Sequence, residues 1–330
     1  MRILGVFILL VSHAAAQFKS NVPLVVAPVT VRDSHGEFVD GLSPDDLTLY
    51  DNNVPQRIQT DWMMFPISLV VAVQTSANAG AVIDKLGGTG ILFSQALAAD
   101  AGQTAVITFS DAVKVHQDFT SAPDQVTRSL RMLRKEGDSA HTLDALDEAV
   151  TMLEKQPSGR RRIVLIIAEK RDRGSETRIA EAMARVQRSN VVVYWLTWSP
   201  FLQPFTVKPK TAEDLKPEAE RDKRRPDETG VPFDNGPGNP MYAIGELARL
   251  RQPDLSRVFT ETTGGRALSV LKKSGLEDAI ELVSREVHRQ YILSFVPSRT
   301  EPPTFHSIRV VVKNRPDLRI TTRAGYWPIP

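Results

Sequence analysis

From Ile67 onward, short apolar segments alternate with amphipathic ones, and this alternation restricts the fold more than any other property of the chain. Ser68–Val73, Thr104–Phe109, Ile163–Ala168 and Val191–Thr197 are continuous apolar runs, the pattern of strands buried on both faces. Between them, Val82, Leu86, Phe93 and Leu97 are spaced as one helical face, as are Val126, Leu130 and Leu133, then Leu143, Leu146, Val150 and Leu153, then Ile179, Met183 and Val186. Such a chain is expected to be α/β, a doubly wound, mostly parallel sheet with helices on both sides. Ligands of such sheets bind beyond the carboxyl ends of the strands, where the strand order reverses.

The flanks read differently. Leu24–Val31 is rich in β-branched residues and runs into the turn Asp33-Ser34-His35-Gly36. Ser43-Pro44 is a capped turn, after which Leu47–Tyr50 reaches the hairpin signal Asp51-Asn52-Asn53. Late in the chain, Leu276, Ile280, Val283 and Val287 form a further helical face, and Tyr291–Val296, Ile308–Val312 and Leu318–Thr322 read as strands. A few short strands cannot cover themselves. The N-terminal strands (17–64) and the helix and strands of 273–330 are therefore expected to complete one small β unit beside an α/β domain spanning 65–272. Eight of the 22 prolines fall between Pro200 and Pro240, interleaved with the charged run Glu213–Glu228, so 200–240 reads as an extended insertion, with a helix resuming at Met241–Leu250.

Met1-Arg2, the apolar run Ile3–Val11 and the small residues Ala14–Ala16 before Gln17 form the pattern of a cleaved signal peptide, residues 1–16. The run is about half of the roughly twenty residues that span a bilayer, so no membrane span is expected after cleavage. The expected location is the periplasm or the outside of the cell. The absence of cysteine excludes disulfides, thiolate metal sites and a cysteine nucleophile, and in an exported chain it points to a bacterial source. With 41 Lys and Arg against 39 Asp and Glu, the chain has no field that would draw nucleic acid. Arg160-Arg161-Arg162, entering the apolar run Ile163–Ala168 from below, reads as a solvent edge.

Seven stretches then suggest a family: Pro28–Asp33 with Gly36, Gly41–Leu47, Phe109-Ser110-Asp111, Gln117–Thr120, Thr263-Gly264-Gly265, Gln290–Leu293 and Arg323–Tyr326. In this order and spacing the chain resembles the exported bacterial von Willebrand factor A-like proteins that carry a β unit before and after the A domain. The resemblance implies a metal-ion-dependent adhesion site with an Asp-x-Ser-x-Ser loop after the first strand, a Thr on a second loop and an Asp after the fourth strand. Two carboxylates and hydroxyls suit the octahedral oxygen shell of Mg²⁺.

This chain departs from that pattern. The first loop reads Gln74-Thr75-Ser76-Ala77-Asn78, the second offers Ser139 or Thr142 within Gly137–Thr142, and the fourth-strand segment reads Glu169-Lys170-Arg171-Asp172. Two acids and three bases between Glu169 and Arg173 leave about one positive charge where a dication would sit. The set Gln74, Ser76, Asn78, Ser139, Glu169 and Asp172 is thus expected to be a degenerate metal site, with Mg²⁺ or Ca²⁺ disfavoured, no cofactor, and Lys170 held by Glu169 in the metal's place. Thr75, His141, Thr142, Lys170 and Trp198 are the expected partner contacts.

Gly87-Gly88-Thr89-Gly90 lacks the strand and the Lys-Ser/Thr ending of a phosphate loop and reads as a turn. The six histidines form no zinc pattern, and no serine sits in a nucleophile elbow. The expected function is an exported, non-enzymatic module that binds an unidentified protein. A weakly Mg²⁺- or Ca²⁺-dependent adhesion protein is one alternative; an envelope component that binds through its β unit by strand addition is the other.

Overall fold

The computed structural model describes residues 24–60, 65–76, 79–97, 101–157, 159–198, 254–270, 275–297 and 305–327. The signal peptide, the 200–240 insertion, the helix at 241–250 and Asn78 lie outside these residues.

The N-terminal segment forms β1 (Val25–Arg32), a 3₁₀ turn at Pro44–Asp46, β2 (Leu47–Asp51), β3 (Val54–Pro55) and β4 (Gln59–Thr60). Ser43 and Asp46 close a capping box around the 3₁₀ turn, as the Ser-Pro pair implied. Asn52 and Asn53 take positive φ (45° and 66°) between β2 and β3, the left-handed pair of a two-residue hairpin.

The α/β region runs β5 (Ile67–Gln74), α1 (Gly80–Leu86), a π-helical segment Leu92–Leu97, β6 (Gln103–Phe109), β7 (Val113–Thr120), α2 (Pro123–Met132), α3 (Thr142–Glu154), β8 (Arg161–Ala168), α4 (Ile179–Arg188), β9 (Val191–Trp198), α5 (Leu255–Thr263) and β10 (Ala267–Val270). The strands pair in the order β10-β9-β8-β5-β6-β7, all parallel except β7, which runs antiparallel to β6. From β5 the chain goes to one side, then crosses to β8 on the other. The switch point therefore lies at the carboxyl end of β5, at Gln74. Every residue of β5 and β9 is buried. The face expected to join Val82 to Leu97 is instead broken: α1 ends at Leu86, and Gly88 and Thr89 turn the chain with N–H bonds to Lys85 and Leu86.

Among the elements with no counterpart in the sequence expectations are a strand and a helix of the α/β region. Strand β7 is largely exposed, and its register shifts between Thr104 and Val106 and again between Val106 and Ile107, so its side chains lose the period of two. Helix α5 is rich in threonine, a poor helix former. Its buried hydroxyls of Thr260, Thr262 and Thr263 donate at 2.7 Å to the carbonyls of Ser256, Val258 and Phe259, four residues back. Gly264 ends it in the left-handed region (φ 80°), where a Cβ would come within 2.8 Å of the Arg323 nitrogen.

Helix α6 (Gly275–His288) follows, and Leu276, Ile280, Val283 and Val287 pack into the α/β core. Then come β11 (Tyr291–Phe295), β12 (His306–Val312), β13 (Arg319–Thr322) and β14 (Gly325–Tyr326). The two chain ends interleave as expected, in two four-stranded sheets: β13-β1-β11-β4 and β14-β12-β2-β3. Val25, Ala27, Val29 and Val31 of one sheet share a core with Leu47, Leu49, Ile308 and Val310 of the other, which makes the β unit a small sandwich.

A polar seam joins the sandwich to the amino ends of the parallel strands. The buried Arg323 donates to the carbonyls of Gly325, Val26 and Gln187 (2.9, 3.1 and 2.7 Å) and to the Asn190 side chain, just before β9. Glu286, 3% exposed, lies between Arg32 (2.7 Å) and Arg266 (3.3 Å). The run Arg160–Arg162 belongs to this end and is not a solvent edge. Arg160 bonds Ser68, the Ile67 carbonyl and the Ala101 carbonyl; Arg161 bonds the Val287 carbonyl and Gln290; Arg162 bonds the Ser189 carbonyl. Guanidinium groups supply many donors in a fixed fork, and here they close carbonyls that packing has cut off from water. Among the described residues no helix is long and apolar enough to cross a membrane.

Candidate functional site

With the sandwich at the amino ends of the strands, the carboxyl ends carry three loops, Gln74–Ser76, Glu136–His141 and Glu169–Ser175, with the short turn Ser110–Asp111 beside the second. Gln74 is fully buried at the switch point. Its carbonyl accepts the Glu169 N–H (2.8 Å) and its amide donates to Ser76 Oγ (2.7 Å), so one neutral side chain clamps the end of β5 to the segment leaving β8. Thr75 donates its N–H to the Phe109 carbonyl and accepts the Glu136 N–H, which ties the first loop to the second. Ala140 and Arg173 exchange both backbone hydrogen bonds (3.1 and 2.8 Å), which ties the second loop to the third.

The two acids of the third loop are turned inward. Asp172 accepts the Leu143 N–H (3.1 Å) at the start of α3, together with the hydroxyl and N–H of Ser175 (2.6 and 3.3 Å). A carboxylate there satisfies a helix N–H and meets the positive end of the helix dipole. Glu169, its side chain 12% exposed, pairs with Arg173 at 2.8 Å. The expected Glu169–Lys170 pairing is replaced: Lys170 reaches Asp254 at 3.0 Å, the N-cap of α5, and its carbonyl accepts the Leu255 N–H. The ammonium one residue from Glu169 is paired with Asp254, whereas Arg173, four residues on, pairs with Glu169.

Further acids are consumed in the same way. Asp111 accepts the N–H groups of Ser139 and Asp138, which hold its carboxyl below the usual range. Burial alone would raise Asp144, but the N–H groups of Thr177 and Glu176 outweigh it and the carboxyl is lowered. His141 precedes α3 and lies 3.6 Å from Asp144. Gly174 takes φ 104°, and a Cβ there would meet the His141 ring at 2.6 Å, so both the backbone and the space call for glycine.

Of the sequence-derived metal set, the structure brings Gln74, Ser76 and Glu169 together and sends Asp172 to the start of α3; Ser139 bonds Asp111 through its backbone. These residues do not fit a divalent cation. The Gln74 oxygen is already taken by an N–H, the nearest acid already holds a guanidinium, and a dication would displace both at a site of like charge. Among the described residues no three His, Asp or Glu side chains converge. Of the expected partner contacts, Thr75, Thr142 and Trp198 are buried, Trp198 at 6% exposure, and Lys170 and His141 reach the surface. The sequence reading passed over Arg173. Its spacing of four from Glu169 was the available signal.

Residues 70–171 match the sequence profile of the von Willebrand factor type A domain. The sheet order and this match make the α/β region a von Willebrand A-type fold. No curated protein matches the chain significantly. Among solved structures, the chain is similar to the von Willebrand domain of the type V pili tip protein Mfa5 from Porphyromonas gingivalis (14% identity, TM-score 0.29, covering 33% of this chain and 39% of that one). It is also similar to an aerotolerance-related membrane protein from Bacteroides fragilis (14%, TM-score 0.42, 68% and 99%). A third is the conserved hypothetical protein BatB from Bacteroides thetaiotaomicron (14%, TM-score 0.41, 68% and 98%). The chain thus spans less than half of the pilus tip domain's own length.

Proposed function

We propose that the protein is an exported, non-enzymatic binding module that captures a protein partner on the loops at the carboxyl ends of its parallel strands, without a divalent metal. One observation carries the reading. At the switch point the loops are closed by the Gln74 amide, while the opposite end of the sheet is sealed by the sandwich. Rigid, mutually bonded loops at a switch point are a pre-organised surface, and binding to such a surface loses little to ordering. Gln74, Glu169 and Asp172 are spent on groups of the same loops, which supports recognition over catalysis. The leader-like residues 1–16 support export, and the absence of cysteine supports a bacterial envelope or extracellular setting.

A photo-crosslinking residue placed at the exposed Asp138 on the loops, or at the exposed Val54 on β3 of the sandwich, tests the location of the partner surface. Cross-links from position 138, equal in chelator and in Mg²⁺, are the expected result; cross-links from position 54 alone would move binding to the sandwich. Calorimetry with Mg²⁺ and Mn²⁺ is expected to give no heat. A dissociation constant below about 1 mM would return the metal to the site.

A further inference from the structure

The misfit between the loop Glu169–Arg173 and a metal points to what the loop does recognise. Its five residues carry two acids and three bases, and the fold sorts them by direction. Both carboxylates face inward, Glu169 under Arg173 and Asp172 at the start of α3, whereas the three cations stand at the surface. Lys170, 56% exposed, is balanced by Asp254. Arg173, 41% exposed, makes one side-chain bond among the described residues, to Glu169, and a guanidinium has five N–H donors. Arg171 is exposed and makes no side-chain hydrogen bond or ion pair among the described residues. Arg173 is held from both sides, by its backbone pairing with Ala140 and by a nearly buried carboxylate, so little freedom is lost when it binds.

We propose that Arg171 and Arg173 form a metal-free receptor for a carboxylate side chain in an acidic segment of the partner protein. This rests on the reading above that the partner docks on these loops. The charge balance selects the ligand. With Lys170 and Arg173 each already paired, Arg171 is the cation of the loop left uncompensated among the described residues, which matches a single carboxylate. A nucleic acid needs a row of such cations, and the chain's net charge of +2 supplies no such field. The guanidinium fork fits a carboxylate edge with two parallel bonds, and Arg173 retains the donors for it.

The probe is a fluorescein-labelled decapeptide of alternating Glu and Gly, with a Gln-for-Glu version as neutral control, titrated with the full chain in chelator and in Mg²⁺. The acidic peptide is expected to bind at sub-millimolar concentration in both buffers, and the neutral peptide not to bind. Arg173→Gln and Arg171→Gln are each expected to weaken binding about tenfold, the scale for losing one charged pair at an interface. Arg128→Gln, an exposed α2 arginine away from the loops, is the charge-matched control and is expected to change nothing. Equal binding of the neutral peptide, no binding at millimolar peptide, dependence on Mg²⁺, or equal weakening by Arg128→Gln would each overturn the proposal. The cross-linker separates the two readings. If position 138 still cross-links the partner when Arg173→Gln leaves capture unchanged, the carboxylate receptor fails and the loop surface stands; if position 138 does not cross-link, both fail.

Discussion

Strand β8 enters the sheet through three arginines and leaves it beside three cations, and the two ends treat those charges in opposite ways. At the entry, Arg160, Arg161 and Arg162 are partly buried and reach backbone carbonyls of four other segments as well as Ser68 and Gln290. At the exit, Lys170, Arg171 and Arg173 lie at the surface, with one side-chain partner or none among the described residues. Each end carries three cations, and the exit adds two acids, Glu169 and Asp172. The difference lies in what packs there: the end that receives a second domain turns cations into structural cross-braces, and the uncovered end leaves them for another molecule.

The largest effect that tests this contrast is at the seam. Arg323→Met keeps most of the apolar stem but strands the carbonyls of Val26, Gln187 and Gly325 together with the Asn190 side chain. Each orphaned buried acceptor costs about 1–3 kcal/mol, so a loss of roughly 3 kcal/mol or more is expected in denaturant unfolding. A loss under about 1 kcal/mol would mean that the seam holds no more firmly than a surface network.

Next is the clamp at the opposite end. Gln74→Ala removes the acceptor of the Glu169 N–H and the donor to Ser76 in a buried site, and about 1–3 kcal/mol of stability is expected to go with it. Wild-type stability in this variant would show that the loops are held by backbone pairing alone. Smaller still is the acid limb set by Asp144. Its carboxyl is lowered in the folded state, so the stability it contributes is complete above the ordinary aspartate range and is lost as pH falls through the depressed folded value. Asp144→Asn is expected to cost about 1 kcal/mol at neutral pH and to flatten this part of the acid limb. An unchanged acid limb would assign it to other carboxylates.

Much of this arrangement could be read from the chain because it follows from periodicity. The apolar runs at Ile163–Ala168 and Val191–Thr197 became β8 and β9, and the β-branched segment after Leu24 became β1, paired with the late strand β11. What escaped was structure held by side chains across long separations. Strand β7 is an edge strand with two register irregularities, and the buried hydroxyls of the α5 threonines are satisfied by carbonyls of their own helix, which no propensity suggests. At the site, the substitution of Gln74 for an acid was legible, and so was the surplus of positive charge after β8. The orientation of each side chain was not. Glu169 could have turned to Lys170 or to Arg173, and the choice depended on Asp254, more than eighty residues away in sequence, drawing Lys170 aside.

The smallest effect is the most discriminating, because it compares one substitution at the two ends of a single strand. Arg161→Gln removes donors to the Val287 carbonyl and to Gln290, whose own amide bonds Thr30 and Tyr194, so the loss spreads from β8 into the sandwich. Burial lowers the Arg161 guanidinium, and the charge stays because arginine titrates far above neutral pH. Arg171→Gln removes no bond among the described residues and should leave stability within about 0.5 kcal/mol of wild type. It relieves no repulsion large enough to stabilise, since Lys170 and Arg173 are each paired with an acid. If Arg171→Gln instead destabilised as much as Arg161→Gln, the exit of β8 would be another cross-brace, and the partner would have to be sought elsewhere on the molecule. A fold unmoved by the loss of Arg171, with acidic-peptide binding weakened, would place that side chain's work outside its own chain.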